Sequence, residues 1–176
     1  MKRIILTLAA AIAAILIILP VSAAKPGGFS LLGYKWQPAP VHMTVYDNST
    51  SPIYQQAVRD SVAMWNVSPY VEMTIVASEC RQYTRGAIAV CEKPVCSYNY
   101  AALEVNRDRI LSATVFLNDG CNDFSLPYEV FLKSVCQEVG HSLGLDHSAD
   151  PESCLGSGVG VSVGDLADLQ ALYGRN

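Results

Sequence analysis

Apolar and polar side chains alternate over residues 41–46, with Val41, Met43 and Val45 on one side and His42, Thr44 and Tyr46 on the other, the period of a half-buried strand. Ser51-Pro52 then opens a stretch in which Ile53, Ala57, Val58, Val62 and Trp65 recur at three-to-four spacing, which predicts a helix ending near Asn66. Strand composition returns over 71–76. Three cysteines, several turn-forming residues and the short apolar segment 87–90 predict an irregular, disulfide-held excursion between residues 79 and 100. Residues 101–105 and 110–117 read as a hairpin that turns at Asn106-Arg107-Asp108 and is closed by Asn118-Asp119-Gly120. Ser125 is the expected N-cap of a helix over 128–143, with Pro127 in its first turn and Gly144 as its stop. Ser162 with Asp165 forms the capping box of a last helix running through 172. Neither a repeat nor a linker interrupts this order, which is that of a single α+β domain.

The N-terminus changes how the composition is read. Lys2 and Arg3 precede an uncharged apolar run over 4–19, Pro20 breaks it, and Val21-Ser22-Ala23 supplies small residues for a signal peptidase. Residues 1–23 are therefore expected to be a secretory signal and 24–176 the mature domain, with an uncleaved, outward-facing N-terminal anchor as the alternative. This leader inflates the overall 51% hydrophobic content and carries two cations, so the mature part is more acidic than the chain's net charge of −4. An acidic surface without basic patches argues against nucleic acid and, once the leader is removed, against a membrane. All six cysteines lie in the mature part, and in an exported chain they read as three disulfides among fifteen possible pairings. A cysteine-rich zinc site would need closer pairs than Cys91 and Cys96.

Candidate chemistry is concentrated in Cys136-Gln137-Glu138-Val139-Gly140-His141-Ser142-Leu143-Gly144-Leu145-Asp146-His147-Ser148. On a helix, positions 137 and 141 project from one face with Glu138 beside them. Gly144 lets the chain turn away, so that His147 can reach the same point from another direction, which a ligand set confined to one helical face could not do. Two imidazoles, a third polar side chain and a neighbouring carboxylate suit a metal ion and a general base. The pattern QExGHxxGxxH resembles the HExxHxxGxxH signature of the metzincin zinc proteases, and 140–148 resembles the matrixin branch in particular. Gln137 stands where that family has its first histidine, and its amide offers only a neutral oxygen donor. Of the three histidines, His42 alone lies outside the motif.

The resemblance continues downstream. Ser153-Cys154-Leu155-Gly156 occupies the place of the family's methionine turn, with Leu155 keeping an apolar floor, and 165–174 resembles the matrixin C-terminal helix with its Leu-Tyr-Gly ending. It implies a twisted, mostly parallel sheet with one antiparallel edge strand, a backing helix, an active-site helix and a C-terminal helix. It further implies a monomeric, secreted endopeptidase with a polypeptide substrate extended along the edge strand, for which 101–117 is the candidate. Zn²⁺ would be held by His141, His147 and Gln137, with Glu138 as general base. A disulfide from Cys136 to Cys154 would tie the helix to the turn beneath the metal, and the remaining bridges are expected as Cys80–Cys91 and Cys96–Cys121. Asn118-Asp119-Gly120 and Asn122-Asp123 could hold Ca²⁺ as matrixin loops do, but a solvated turn is the better reading of them. Trp65 and the aromatic residues over 94–100 read as core or loop packing. Asn48 and Asn66 begin glycosylation triplets. A second reading keeps the fold and replaces catalysis by peptide binding in the same cleft.

Overall fold

Val41–Asp47 forms the first strand, β1, with Val41, Met43 and Val45 buried and His42 exposed, as its alternation predicts. The computed structural model describes residues 31–39 and 41–174, so the expected leader lies outside the described residues. Ser51 accepts a hydrogen bond from the Tyr54 N–H (3.4 Å) and Pro52 takes the first turn, where its missing N–H costs nothing, and helix α1 (Pro52–Trp65) begins there. Its apolar stripe, including Ala57, Val58, Val62 and Trp65, is buried. The chain returns as β2 (Val71–Ala77), parallel to β1 with Val41 opposite Val71.

β3 (Ala87–Lys93), β4 (Tyr100–Asn106) and β5 (Arg109–Asn118) complete a five-stranded sheet of order β2-β1-β3-β5-β4. β1, β2, β3 and β5 are parallel, while β4 runs antiparallel to β5 and forms an edge. The predicted irregular excursion is thus corrected: its apolar segment belongs to β3, the middle strand of the sheet. Residues 87–91 are all buried, so β3 lacks the polar alternation that marks a strand with one wet face.

Helix α2 (Tyr128–Ser142) and helix α3 (Val163–Tyr173) follow. The capping box at Ser162 and Asp165 forms as expected. Ser125 does not cap α2; its N–H and hydroxyl bond Asp123, and Pro127 holds the N-cap position without a side-chain bond. α1 and α2 pack together over one face of the sheet, sharing a core with Val45, Ile88, Val115 and Leu117. On the other face Ala89, Cys91 and Phe116 form a smaller cluster beside Cys80. The disulfides are Cys80–Cys91, Cys96–Cys121 and Cys136–Cys154.

Candidate metal centre and active-site cleft

Gln137, Glu138 and His141 lie on α2, and a glycine turn redirects the chain after them. Gly144 has φ +89°, the Leu145 N–H donates to the Gly140 carbonyl (3.3 Å), and the Gly144 N–H donates to the His141 carbonyl (3.0 Å). This is the Schellman ending, in which a left-handed residue satisfies the last helical carbonyls. A Cβ on Gly144 would lie 2.3 Å from the Tyr34 carbonyl oxygen, so both the dihedral and the space demand glycine. The turn carries His147 back to the helix. Its ring centroid is 4.7 Å from that of His141, and its Nε2 is 3.1 Å from the Gln137 amide nitrogen.

The surroundings hold α2 on three sides. A Cβ on Gly140 would meet Trp65 at 2.7 Å and Leu155 at 2.9 Å, so this motif glycine lets α1 and the 153–156 turn approach the helix. Trp65 is fully buried and its indole N–H donates to the Cys136 carbonyl (3.0 Å). The Cys136–Cys154 disulfide joins helix and turn, Leu155 is 2% exposed, and its carbonyl accepts from the Ser148 N–H (3.0 Å). At the end of α2 the Trp36 indole N–H donates to the Ser142 carbonyl (2.8 Å) and the Tyr173 hydroxyl to the Leu143 carbonyl (2.6 Å). These bonds satisfy acceptors that a helix C-terminus leaves unpaired.

His141 Nδ1 is 2.9 Å from the Leu145 carbonyl, to which it donates, leaving the Nε2 lone pair free. His147 Nδ1 lies 3.3 Å from the Asp146 carboxylate, which favours the same tautomer there. Partners of this kind on the far nitrogen orient metal-ligating histidines. Burial holds His141 below its ordinary pKa against the opposing pull of the Leu145 carbonyl, keeping it in the neutral form that ligates. Glu138 is 6% exposed, and burial pushes its carboxyl up to about 7, although a hydrogen bond from the Ala101 N–H on the edge strand pulls the other way.

The donor chemistry decides how far this arrangement suits zinc. With the His147 proton on Nδ1, its Nε2 accepts a hydrogen bond from the Gln137 amide N–H, and rotating that amide would offer its carbonyl oxygen in the same place. Two imidazole nitrogens and one amide oxygen fit Zn²⁺, with the third donor weaker than imidazole. Among the described residues no three His, Cys, Asp or Glu side chains group to hold a metal, so the set depends on Gln137. His42 does not contribute: its exposed side chain on β1 pairs with that of Glu72 on β2 (2.7 Å), away from the β4 edge.

The polar side chains of the 118–123 loop are largely occupied by protein partners. Asn118 donates to the Tyr98 carbonyl, Asn122 to the Tyr54 hydroxyl, and Asp123 accepts from Ser125. Glu92 and Asp119 each keep one buried carboxylate oxygen without a hydrogen bond. Asn66 bonds both backbone groups of Met73, and Trp65 is core as expected. Tyr98 is not packing: it is 91% exposed, and with Asn99, Val130, Lys133 and Ser134 it borders a depression of about 340 Å³ that reaches Gln137 and Glu138. Sequence reasoning missed this depression. The signal available was the position of Lys133 and Ser134, one helical turn before Gln137 and Glu138.

No family model matches the chain. A segment of 53 residues is 42% identical to matrilysin of Felis catus, a match that covers 26% of this chain and 20% of that protein. Two solved structures of myroilysin share the fold. One has a TM-score of 0.58 at 15% identity and covers 85% of this chain and 100% of that one. The other has a TM-score of 0.55 at 14% identity and covers 80% and 86%. The fold these structures share is a single α+β domain, with a mostly parallel sheet and an antiparallel edge strand.

Proposed function

We propose that the protein is a secreted zinc-dependent endopeptidase of metzincin type. The observation that carries this reading is the convergence of Gln137, His141 and His147 within one small volume, with the buried Glu138 alongside and bonded to the edge strand. His141, His147 and Gln137 would hold the ion. When bound, zinc supplies a positive charge that polarises the scissile carbonyl and an attacking water.

The chain's own residues have separable roles. β4 offers an edge along which an extended polypeptide can pair. Glu138 takes a proton from the water at a carboxylate oxygen and delivers it to the departing amine nitrogen, a task suited to a carboxyl poised near neutral pH. The Asp146 carboxylate and the Leu145 carbonyl fix the two imidazoles. Three disulfides suit an oxidising, extracellular setting, and among the described residues no helix is long and apolar enough to cross a membrane.

A second reading rests on the Gln137–His147 hydrogen bond, which occupies the lone pair a metal would need. On that reading the cleft binds peptides without cleaving them. Zinc content and cleavage of an unfolded protein distinguish the two. The endopeptidase binds near-stoichiometric zinc at micromolar concentration, and Glu138→Ala abolishes cleavage while retaining metal. Absence of zinc under those conditions, with no effect of Glu138→Ala on peptide binding, selects the binding module.

A further inference from the structure

The depression beside Gln137 and Glu138 combines apolar walls with hydrogen-bond donors. Tyr98 and Val130 form its sides, Lys133, Ser134 and Asn99 supply polar groups at one end, and Gln137 and the Glu138 carboxyl line the other. Asn99 uses its amide N–H groups on Ser134 (2.9 Å) and the Tyr54 hydroxyl (3.3 Å) and its oxygen on the Asn118 N–H (2.7 Å). The Ser134 oxygen accepts that bond and keeps its own proton to donate. No carboxylate among the described residues lies within ion-pairing distance of Lys133. Arg81 and Lys93, by contrast, sit over the rings of Tyr46 and Phe116.

Helix periodicity fixes the depression's place relative to the proposed chemistry. Lys133 lies four residues before Gln137 and Ser134 four before Glu138, so each donor is about 6 Å, just over one turn, along the same helical face. Side chains on one face of an extended peptide repeat every two residues, roughly 6.6 Å. A peptide held against β4 with its reacting bond at Glu138 therefore places a nearby side chain over Lys133 and Ser134. An ammonium and a hydroxyl donor with no acidic partner suit an acceptor that carries negative charge.

We propose that this depression is a specificity pocket for a carboxylate, and that Lys133 is the residue that sets the preference. The proposal rests on the peptidase reading for the position of the reacting bond, although carboxylate binding itself requires no catalysis. The carboxylate can belong to an Asp or Glu side chain or to a peptide C-terminus. Val130 and Tyr98 cover the aliphatic part of either.

Fluorescence anisotropy on the purified protein, with labelled decapeptides of Gly, Ser and Ala carrying one Glu, Gln, Leu or Lys, tests the assignment. Glu peptides are expected to bind about fivefold more tightly than Gln peptides, the scale of a partly exposed ion pair, with the margin shrinking in high salt. Lys133→Gln is expected to erase the margin, and Lys133→Glu to turn the preference toward Lys. Matched free-acid and C-terminal amide peptides separate the two sources of the carboxylate. Equal affinity for Glu and Gln peptides, with no gain from a free C-terminus, overturns the pocket, as does a preference that survives Lys133→Gln. Cleavage of an unfolded protein without a carboxylate preference removes the pocket and keeps the peptidase. A Lys133-dependent preference without cleavage keeps the pocket and removes the peptidase.

Discussion

Gln137 controls how well the cleft can hold a metal. Its amide N–H donates to His147 Nε2, so the side chain that would complete the ligand set also satisfies the metal-free arrangement. Metal entry breaks that hydrogen bond and leaves a neutral oxygen in place of an imidazole nitrogen, two effects that both lower affinity. Gln137→His removes the second handicap. Zinc affinity, measured by competition with a chromophoric chelator, is expected to rise by more than roughly tenfold, since even losing a ligand's outer partner costs that much. If cleavage rises with it, the native site is an attenuated enzyme. An unchanged zinc affinity shows that the two histidines are not placed for a shared ion.

At the scale of elements, the end of α2 is fixed by side chains remote in sequence: Trp36 from the segment before β1 and Tyr173 from α3. Tyr173→Phe keeps the buried ring and removes both the 2.6 Å bond to the Leu143 carbonyl and the 3.3 Å bond that the hydroxyl accepts from the Trp36 N–H. It is expected to cost about 1–2 kcal/mol in urea unfolding. Amide exchange at Leu143, Gly144 and Leu145 should quicken more than exchange in β3; uniform acceleration would show that Tyr173 supports the core rather than this turn. Such long-range caps explain which parts the sequence left hidden. β1, α1, β2 and α2 were legible because one wet face and one dry face imprint a period on each, and the hairpin was legible from the turn residues that bound its two apolar arms. β3 was not, because burial on both sides removes the polar half of its pattern. The motif's residues and its Gly144 turn were legible because helical spacing and a left-handed glycine are local properties. The tie between Trp36 and Ser142 was not, because nothing near either residue signals the other. Lys133 stayed unread, and Tyr98 reads in sequence as packing, for the same reason, since their depression exists only once the loop before β4 meets α2.

The whole molecule is acidic, with 16 Asp and Glu against 12 Lys and Arg, and it buries some of that acid. Asp168 on α3 is 4% exposed, and burial, with the neighbouring Asp165, pushes its carboxyl up to about 7. In the unfolded chain the same group titrates near 3.9. Between those values the folded protein holds a proton that the unfolded chain has released, so the contribution of Asp168 to stability falls as pH rises through that window. Below about pH 4 both states are protonated and the effect vanishes. Above about 7 the charge is carried in both states and the full burial cost is felt. Asp168→Asn keeps the shape and removes the titration, so its benefit must depend on pH. Urea unfolding is expected to show a gain of roughly 1–3 kcal/mol at pH 8 and little change at pH 4. Because Asp168 lies on α3 and outside the proposed ligand set, zinc binding should be the same in both proteins at either pH. A gain of equal size at pH 4 and pH 8 would assign the effect to packing of the amide and remove the buried charge from the account of α3.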